Sequence, residues 1–137
     1  MSFREKSAWI TLIAILFVSA GYVLHVPRIF EPDPGYWELH VVALMTVTFV
    51  VIEVVAHAVL FLRFPKDART PKDERERLID LKATRLGAYV YVLGSFAAIV
   101  AGSHASGLAT GVWVLFAFVI AEIVNYAARI IYYRRGV

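Results

Sequence analysis

Cysteine is absent from this 137-residue chain, which excludes disulfide bonds, thiolate metal sites and thiol catalysis. Any metal or cofactor must therefore bind through oxygen and nitrogen ligands. Charged residues are scarce at 18%, whereas 60% of the residues are hydrophobic. Because a soluble domain of that composition would expose large apolar patches, we expect one membrane domain, residues 1–137, with a lipid bilayer and no nucleic acid as its partner.

Long runs with almost no charge account for this composition. Four apolar runs are separated by segments that contain all five prolines. At 1.5 Å per residue, a helix of about 20 residues crosses a hydrocarbon core of about 30 Å. We therefore predict an all-α fold, a four-helix transmembrane bundle. The predicted spans are residues 8–26, 39–62, 83–102 and 111–133. The predicted long loop is residues 63–85.

Basic residues are distributed unevenly among the connections. Of 14 Lys and Arg residues, only Arg28 falls between the first two spans, and the others precede the first span, occupy the loop or close the fourth. Because cytoplasmic segments are enriched in Lys and Arg, we predict a bacterial inner-membrane protein with both termini cytoplasmic. As an alternative, the first run is a signal peptide cut near Ser19 and Ala20, which would leave three spans.

An internal repeat relates the second and fourth spans. The segment FVVIEVVAHA aligns with FVIAEIVNYA, which pairs Glu53 with Glu122 and His57 with Tyr126. The match predicts a duplicated helical hairpin. Both hairpins would start on the same side of the membrane, so the repeats would be parallel.

Polar residues near the middle of these two spans form the candidate site. A carboxylate at that depth costs about 2.5–3.5 kcal/mol, so Glu53 and Glu122 must face protein or water. His57 lies one turn from Glu53, and Asn125 and Tyr126 share a helix face with Glu122. Two carboxylates at one level in a low dielectric should not both be ionised. These five residues predict a proton or cation site, and helix packing or subunit contact is the alternative.

Small residues of the third span and one arginine of the fourth span give two further expectations. Gly87, Gly94 and Ala101, with Ala98 on the same face, predict close packing of the third span. We expect Arg129 to extend toward the inner membrane surface, with pairing to a mid-span glutamate as the lesser alternative.

Three histidines lie near the predicted outer surface. His25, His40 and His104, with Glu38 or Asp33, would supply nitrogen and oxygen ligands to zinc or copper. A haem held within this chain would need an axial pair from the same histidines. No spacing among them is diagnostic, so the leading expectation is that no cofactor binds.

The segment from Asp73 to Arg85 reads DERERLIDLKATR and leads directly into the third span. It resembles a loop of small bacterial membrane proteins with four predicted spans, in which a D-E-R start and an I/L-x-x-K/R-A/S-x-R/K run precede the third helix. The resemblance covers this segment and the general layout. It implies a bacterial inner-membrane architecture and assigns no activity and no catalytic residue.

The same segment is amphipathic. Its apolar residues Leu78, Ile79 and Leu81 are expected at the membrane interface. Its basic residues are expected to meet anionic lipid headgroups: Arg75, Arg77, Lys82 and Arg85.

The sequence contains no phosphate-binding glycine motif, serine nucleophile constellation or HExxH motif, so we do not expect an enzyme. We predict a transport-type or ion- or proton-conducting protein that forms a homo-oligomer or binds a partner membrane subunit. The alternative is a non-catalytic accessory or regulatory subunit held together by intramembrane polar contacts. A haem- or metal-binding membrane protein ranks third.

Overall fold

Most of the described part of the chain is helical. The structure is a computed structural model that describes residues 2–25, 36–104 and 106–135, and within them there are five helices and no strand. Four of the helices are long and apolar enough to cross a membrane, which confirms the all-α class and the four predicted apolar spans. The helices are α1 (Phe3–His25), α2 (Tyr36–Arg63), α3 (Pro65–Arg69), α4 (Glu74–Gly102) and α5 (Gly107–Arg135).

Helix α4 begins earlier than the predicted third span. The prediction starts that span at residue 83, but the helix already starts at Glu74 and runs without a break to Gly102. Asp73 caps it, because its side chain accepts a hydrogen bond from the Glu76 N–H at 2.6 Å. The charged DERERLIDLKATR segment is therefore the first part of a 29-residue helix.

Serine side chains cap two of the other long helices. The Ser2 hydroxyl accepts a hydrogen bond from the Glu5 N–H at 3.1 Å, and the Ser106 hydroxyl accepts one from the Ala109 N–H at 3.3 Å. Each satisfies a backbone donor that has no partner inside its own helix. Local sequence thus determines where α1 and α5 begin.

The long helices pack in the order α2, α1, α5, α4. Helix α1 contacts both α2 and α5, and α5 also contacts α4. Within the described ranges, α2 makes no extensive contact with α4 or α5. Two hairpins related by a two-fold axis would bring α2 against α4 just as α5 lies against α1. The packing is therefore not two-fold symmetric, and the duplicated hairpin stays a prediction.

Small residues form the α4–α5 interface, as the sequence predicts. A Cβ atom added to Gly87 would lie 3.0 Å from the Cβ of Asn125, and one added to Gly94 would lie 3.0 Å from the Cβ of Ala117. Ala98 is buried as well. The two helix backbones approach closely because these positions carry little or no side chain.

Two predictions about α4 are wrong. Ala101 is exposed, and Gly102 faces α5 in its place, against Thr110. A straight helix has 3.6 residues per turn and so drifts away from a strict seven-residue spacing. Ile79 does not face lipid as expected, since its exposed fraction is 0%, whereas Leu81 remains 63% exposed. The start of α4 therefore packs firmly into the protein.

Contacts between distant parts of the chain gather at one end of the molecule. The Arg4 guanidinium donates a hydrogen bond to the Thr70 carbonyl at 3.3 Å, and Arg134 Nε lies 3.5 Å from Glu5 Oε1. The start of α1, the connection around α3 and the end of α5 therefore lie together. We call this region the basic end, and it comprises residues 2–7, 63–77 and 129–135.

Candidate functional site

A cavity of about 330 Å³ lies between α1, α2 and α5. Its walls are mostly apolar and include Ile15, Phe49 and Phe116. Glu53 from α2 and Glu122 from α5 both line it. Because α1 packs against both of the other helices, it holds the two carboxylates on either side of one space. We call this space the apolar cavity.

Glu53 is held by side chains from two helices. The Thr11 hydroxyl of α1 donates a hydrogen bond to Glu53 Oε2 at 3.0 Å. His57 Nδ1 lies 3.2 Å from the same oxygen and 2.9 Å from the Glu53 carbonyl oxygen. His57 Nε2 lies 2.8 Å from the Ser7 hydroxyl of α1. With a proton on Nδ1, the ring donates to Glu53 and accepts from Ser7, so one chain of hydrogen bonds connects α1 and α2.

The second carboxylate oxygen of Glu53 is in a different situation. Oε1 is buried and has no hydrogen-bond partner among the described residues, although the whole side chain is 19% exposed. An unsatisfied buried acceptor costs about 1–3 kcal/mol, and more when it is charged. A proton or a cation bound at Oε1 would remove that cost. This oxygen is therefore the atom of the site best suited to take up either one.

Glu122 belongs to a second network that runs along α5 and across to α4. Asn125 Nδ2 donates to Glu122 Oε2 at 3.2 Å, and Arg129 Nε donates to Asn125 Oδ1 at 3.1 Å. The Arg129 guanidinium also lies 3.3 Å from Asp80 Oδ1 and donates to the Thr84 hydroxyl at 3.4 Å. Arg129 therefore reaches across to α4, where it pairs with Asp80, and it connects to Glu122 through Asn125. Its extension toward the inner membrane surface stays a prediction.

A smaller cavity of about 180 Å³ connects the site to the basic end. It shares Thr11, Glu53 and Tyr126 with the apolar cavity, so the two spaces meet at these three side chains. We call it the polar cavity. The charged and ionisable residues of its remaining wall are Arg4, His57, Lys72, Asp80, Arg129 and Tyr133.

Sequence reasoning missed the contribution of α1. Ser7 and Thr11 lie four residues apart and hence on one helix face, and they bind His57 and Glu53 respectively. Hydroxyl groups in apolar helices often bond only to the backbone, as Thr46 does with the carbonyl one turn before it. The four-residue spacing is the one signal that would have identified the pair.

The histidines proposed as metal ligands are not brought into one cluster by the described residues. His40 Nδ1 lies 2.7 Å from the Tyr36 carbonyl, and His104 is exposed. The side chain of His25 lies outside the described residues. No group of three or more potential metal ligands occurs within 2–25, 36–104 and 106–135. At His57 both ring nitrogens already have partners, so ligation there would break a hydrogen bond. A metal or haem stays a prediction.

The basic residues predicted to contact lipid are all exposed: Arg75, Arg77, Lys82 and Arg85. Arg75 also donates a hydrogen bond to the Tyr133 carbonyl at 3.4 Å, which ties the start of α4 to the end of α5. Exposure leaves all four side chains accessible to headgroups, and their contact with lipid stays a prediction.

No family model, curated protein or solved structure matches the chain. Its function is therefore argued from the residues of the site.

Proposed function

We propose that this protein is a small transport-type membrane protein that moves protons or cations by way of Glu53. The observation that carries the proposal is that Glu53 lines both cavities while its buried Oε1 has no hydrogen-bond partner among the described residues. A structural carboxylate would be expected to satisfy both oxygens within the protein. One that exchanges a proton or a cation needs an oxygen that the protein leaves available.

The proposed membrane setting is a bacterial inner membrane with the basic end on the cytoplasmic side. The gathering of Lys and Arg residues at one end of four apolar helices supports this orientation. The central place of α1 between α2 and α5 supports its retention as a span rather than its removal as a signal peptide. Within the described ranges, α1 is the one long helix that α2 contacts extensively, which supports an oligomer or a partner subunit.

In the proposed mechanism a proton enters from the basic end through the polar cavity. Ser7 and His57 form a hydrogen-bonded path to Glu53, and the imidazole accepts a proton on one nitrogen as it releases one from the other. Protonation neutralises Glu53, which lowers the cost of its position on the wall of the apolar cavity. Tyr126 lines both cavities and Glu122 lines the apolar one. These two residues therefore come after Glu53 on the proposed proton path.

The test is proton flux in proteoliposomes that contain a pH-sensitive dye, driven by a potassium diffusion potential. Glu53→Gln removes the titrating group with little change of shape, so we expect flux to fall to the level of protein-free liposomes. Glu74→Gln makes the same substitution at an exposed position outside the site and should leave flux unchanged. Both variants must show the same helix content and elution volume as the original protein. Undiminished flux in folded Glu53→Gln would refute the proposal.

An accessory or regulatory subunit is the second candidate, and the Glu122 network favours it. The chain from Glu122 through Asn125 and Arg129 to Asp80 joins α5 to α4, which is what polar residues do when they hold helices together. This function predicts that Glu122→Gln and Asn125→Ala weaken assembly or co-purification of a partner, while no variant changes flux above background.

A further inference from the structure

The apolar cavity combines the properties of a small-molecule site with charge of one sign. Its volume of about 330 Å³ lies within the range of ligand pockets, roughly 300–1,000 Å³. Aliphatic and aromatic side chains form most of its wall, among them Val18, Met45 and Phe118. Such walls bind an apolar body and provide few hydrogen bonds.

The ionisable groups on that wall select the charge of the occupant. Glu53 and Glu122 are both acidic, and no Lys, Arg or His side chain is among the described residues that line the apolar cavity. An anion would be repelled, and a neutral molecule would leave Glu53 Oε1 without a counter-charge. A cation supplies the counter-charge, and the aromatic residues Phe49 and Phe116 line the same cavity.

The kind of cation follows from the surroundings. A metal ion is usually held by several charged or imidazole side chains among its ligands, and the described residues contain no group of three His, Cys, Asp or Glu side chains. An organic cation needs one counter-charge and an apolar enclosure for its substituents. The cavity also lies between α2 and α5, which make no extensive contact within the described ranges, so a molecule dissolved in the bilayer has a lateral route to it.

We infer that the apolar cavity binds a lipophilic organic cation, with the charged nitrogen beside the Glu53 carboxylate and the apolar groups against the walls formed by α1, α2 and α5. The inference rests on the proposed function, because it makes this cation the molecule that competes with the proton for Glu53. Binding of the cation releases the proton from Glu53, and binding of the proton releases the cation. This is the coupling that an exchanger needs.

The test is calorimetric titration of the full chain in lipid nanodiscs with benzyltrimethylammonium, with empty nanodiscs as the blank. The control ligand is neopentylbenzene, which has the same shape with carbon in place of the charged nitrogen. We expect saturable binding of the cation and a Kd that rises about tenfold or more in Glu53→Gln. Glu74→Gln should bind the cation as the original protein does, and neopentylbenzene should not displace it at equal concentration.

A second variant reduces the volume of the apolar cavity and leaves both glutamates in place. Val119 lines the apolar cavity, so Val119→Trp should fill it and abolish cation binding with both glutamates in place. Unchanged cation binding in Glu53→Gln or in Val119→Trp, or displacement by neopentylbenzene, would overturn the inference. If proton flux depends on Glu53 but no cation binds, the inference fails and the proposed function stands. If the cation binds through Glu53 but no flux is seen, the site stands and the proposed function fails.

Discussion

Replacing Gly87 with leucine should destabilise the protein, whereas the same replacement at Gly111 should not. A Cβ added to Gly87 would lie 3.0 Å from the Cβ of Asn125 and 3.1 Å from the carbonyl oxygen of Ala121. That carbonyl belongs to the backbone of α5 and cannot rotate away, so α4 and α5 must separate. At Gly111 no described atom lies within 4 Å of the added Cβ.

The difference between the two variants isolates the packing contribution. Both glycines lie within helices, so leucine adds about 1 kcal/mol of helix propensity at either position. Overpacking a close interface costs about 1–3 kcal/mol. We therefore expect Gly87→Leu to unfold with a free energy about 1–3 kcal/mol below that of Gly111→Leu, because the propensity gain cancels in the comparison.

The measurement is reversible unfolding in mixed micelles by increasing the fraction of denaturing detergent, followed by far-ultraviolet circular dichroism. Flux provides a second readout, because Gly87 packs against Asn125, which holds Glu122. Equal free energies of unfolding for the two variants would refute the close α4–α5 contact, and with it the account of how Asn125 is positioned.

Two other predictions concern the start of α4. Ile79→Ala should lower the free energy of unfolding by about 2–5 kcal/mol, because the side chain is fully buried. Leu81→Ala should change the free energy of unfolding by no more than about 0.5 kcal/mol, because Leu81 is 63% exposed. Equal losses in the same unfolding assay would contradict the packing of this segment. A double-mutant cycle of Asp80→Asn and Arg129→Gln should give a coupling energy of about 0.5–3 kcal/mol, because the two side chains lie 3.3 Å apart. Strict additivity would show that the ion pair does not form.

The accuracy of the sequence predictions differs between the spans and the site. The spans were predictable because a membrane crossing needs about 20 apolar residues, a requirement that each segment meets by itself. The site was predictable in part, since Glu53 and Glu122 do line one cavity. Their partners were not all found. Ser7 and Thr11 come from a helix with no charge near the middle of the membrane, and hydroxyl groups in such helices give no distinctive pattern.

The sequence by itself determined the four apolar helices, the caps that begin three of them and the place of Glu53 and Glu122 near the middle of two of them. These properties depend on composition, on length and on residues within one turn of each other. Only the tertiary structure decided that α1 lies between α2 and α5 and that α5 packs on α4. It also decided that one oxygen of Glu53 has no partner among the described residues. In lipid the hydrophobic effect does not distinguish one apolar helix face from another, so helix order depends on close fit and a few polar contacts. That order is what places Glu53 and Glu122 on one cavity although their helices make no extensive contact within the described ranges.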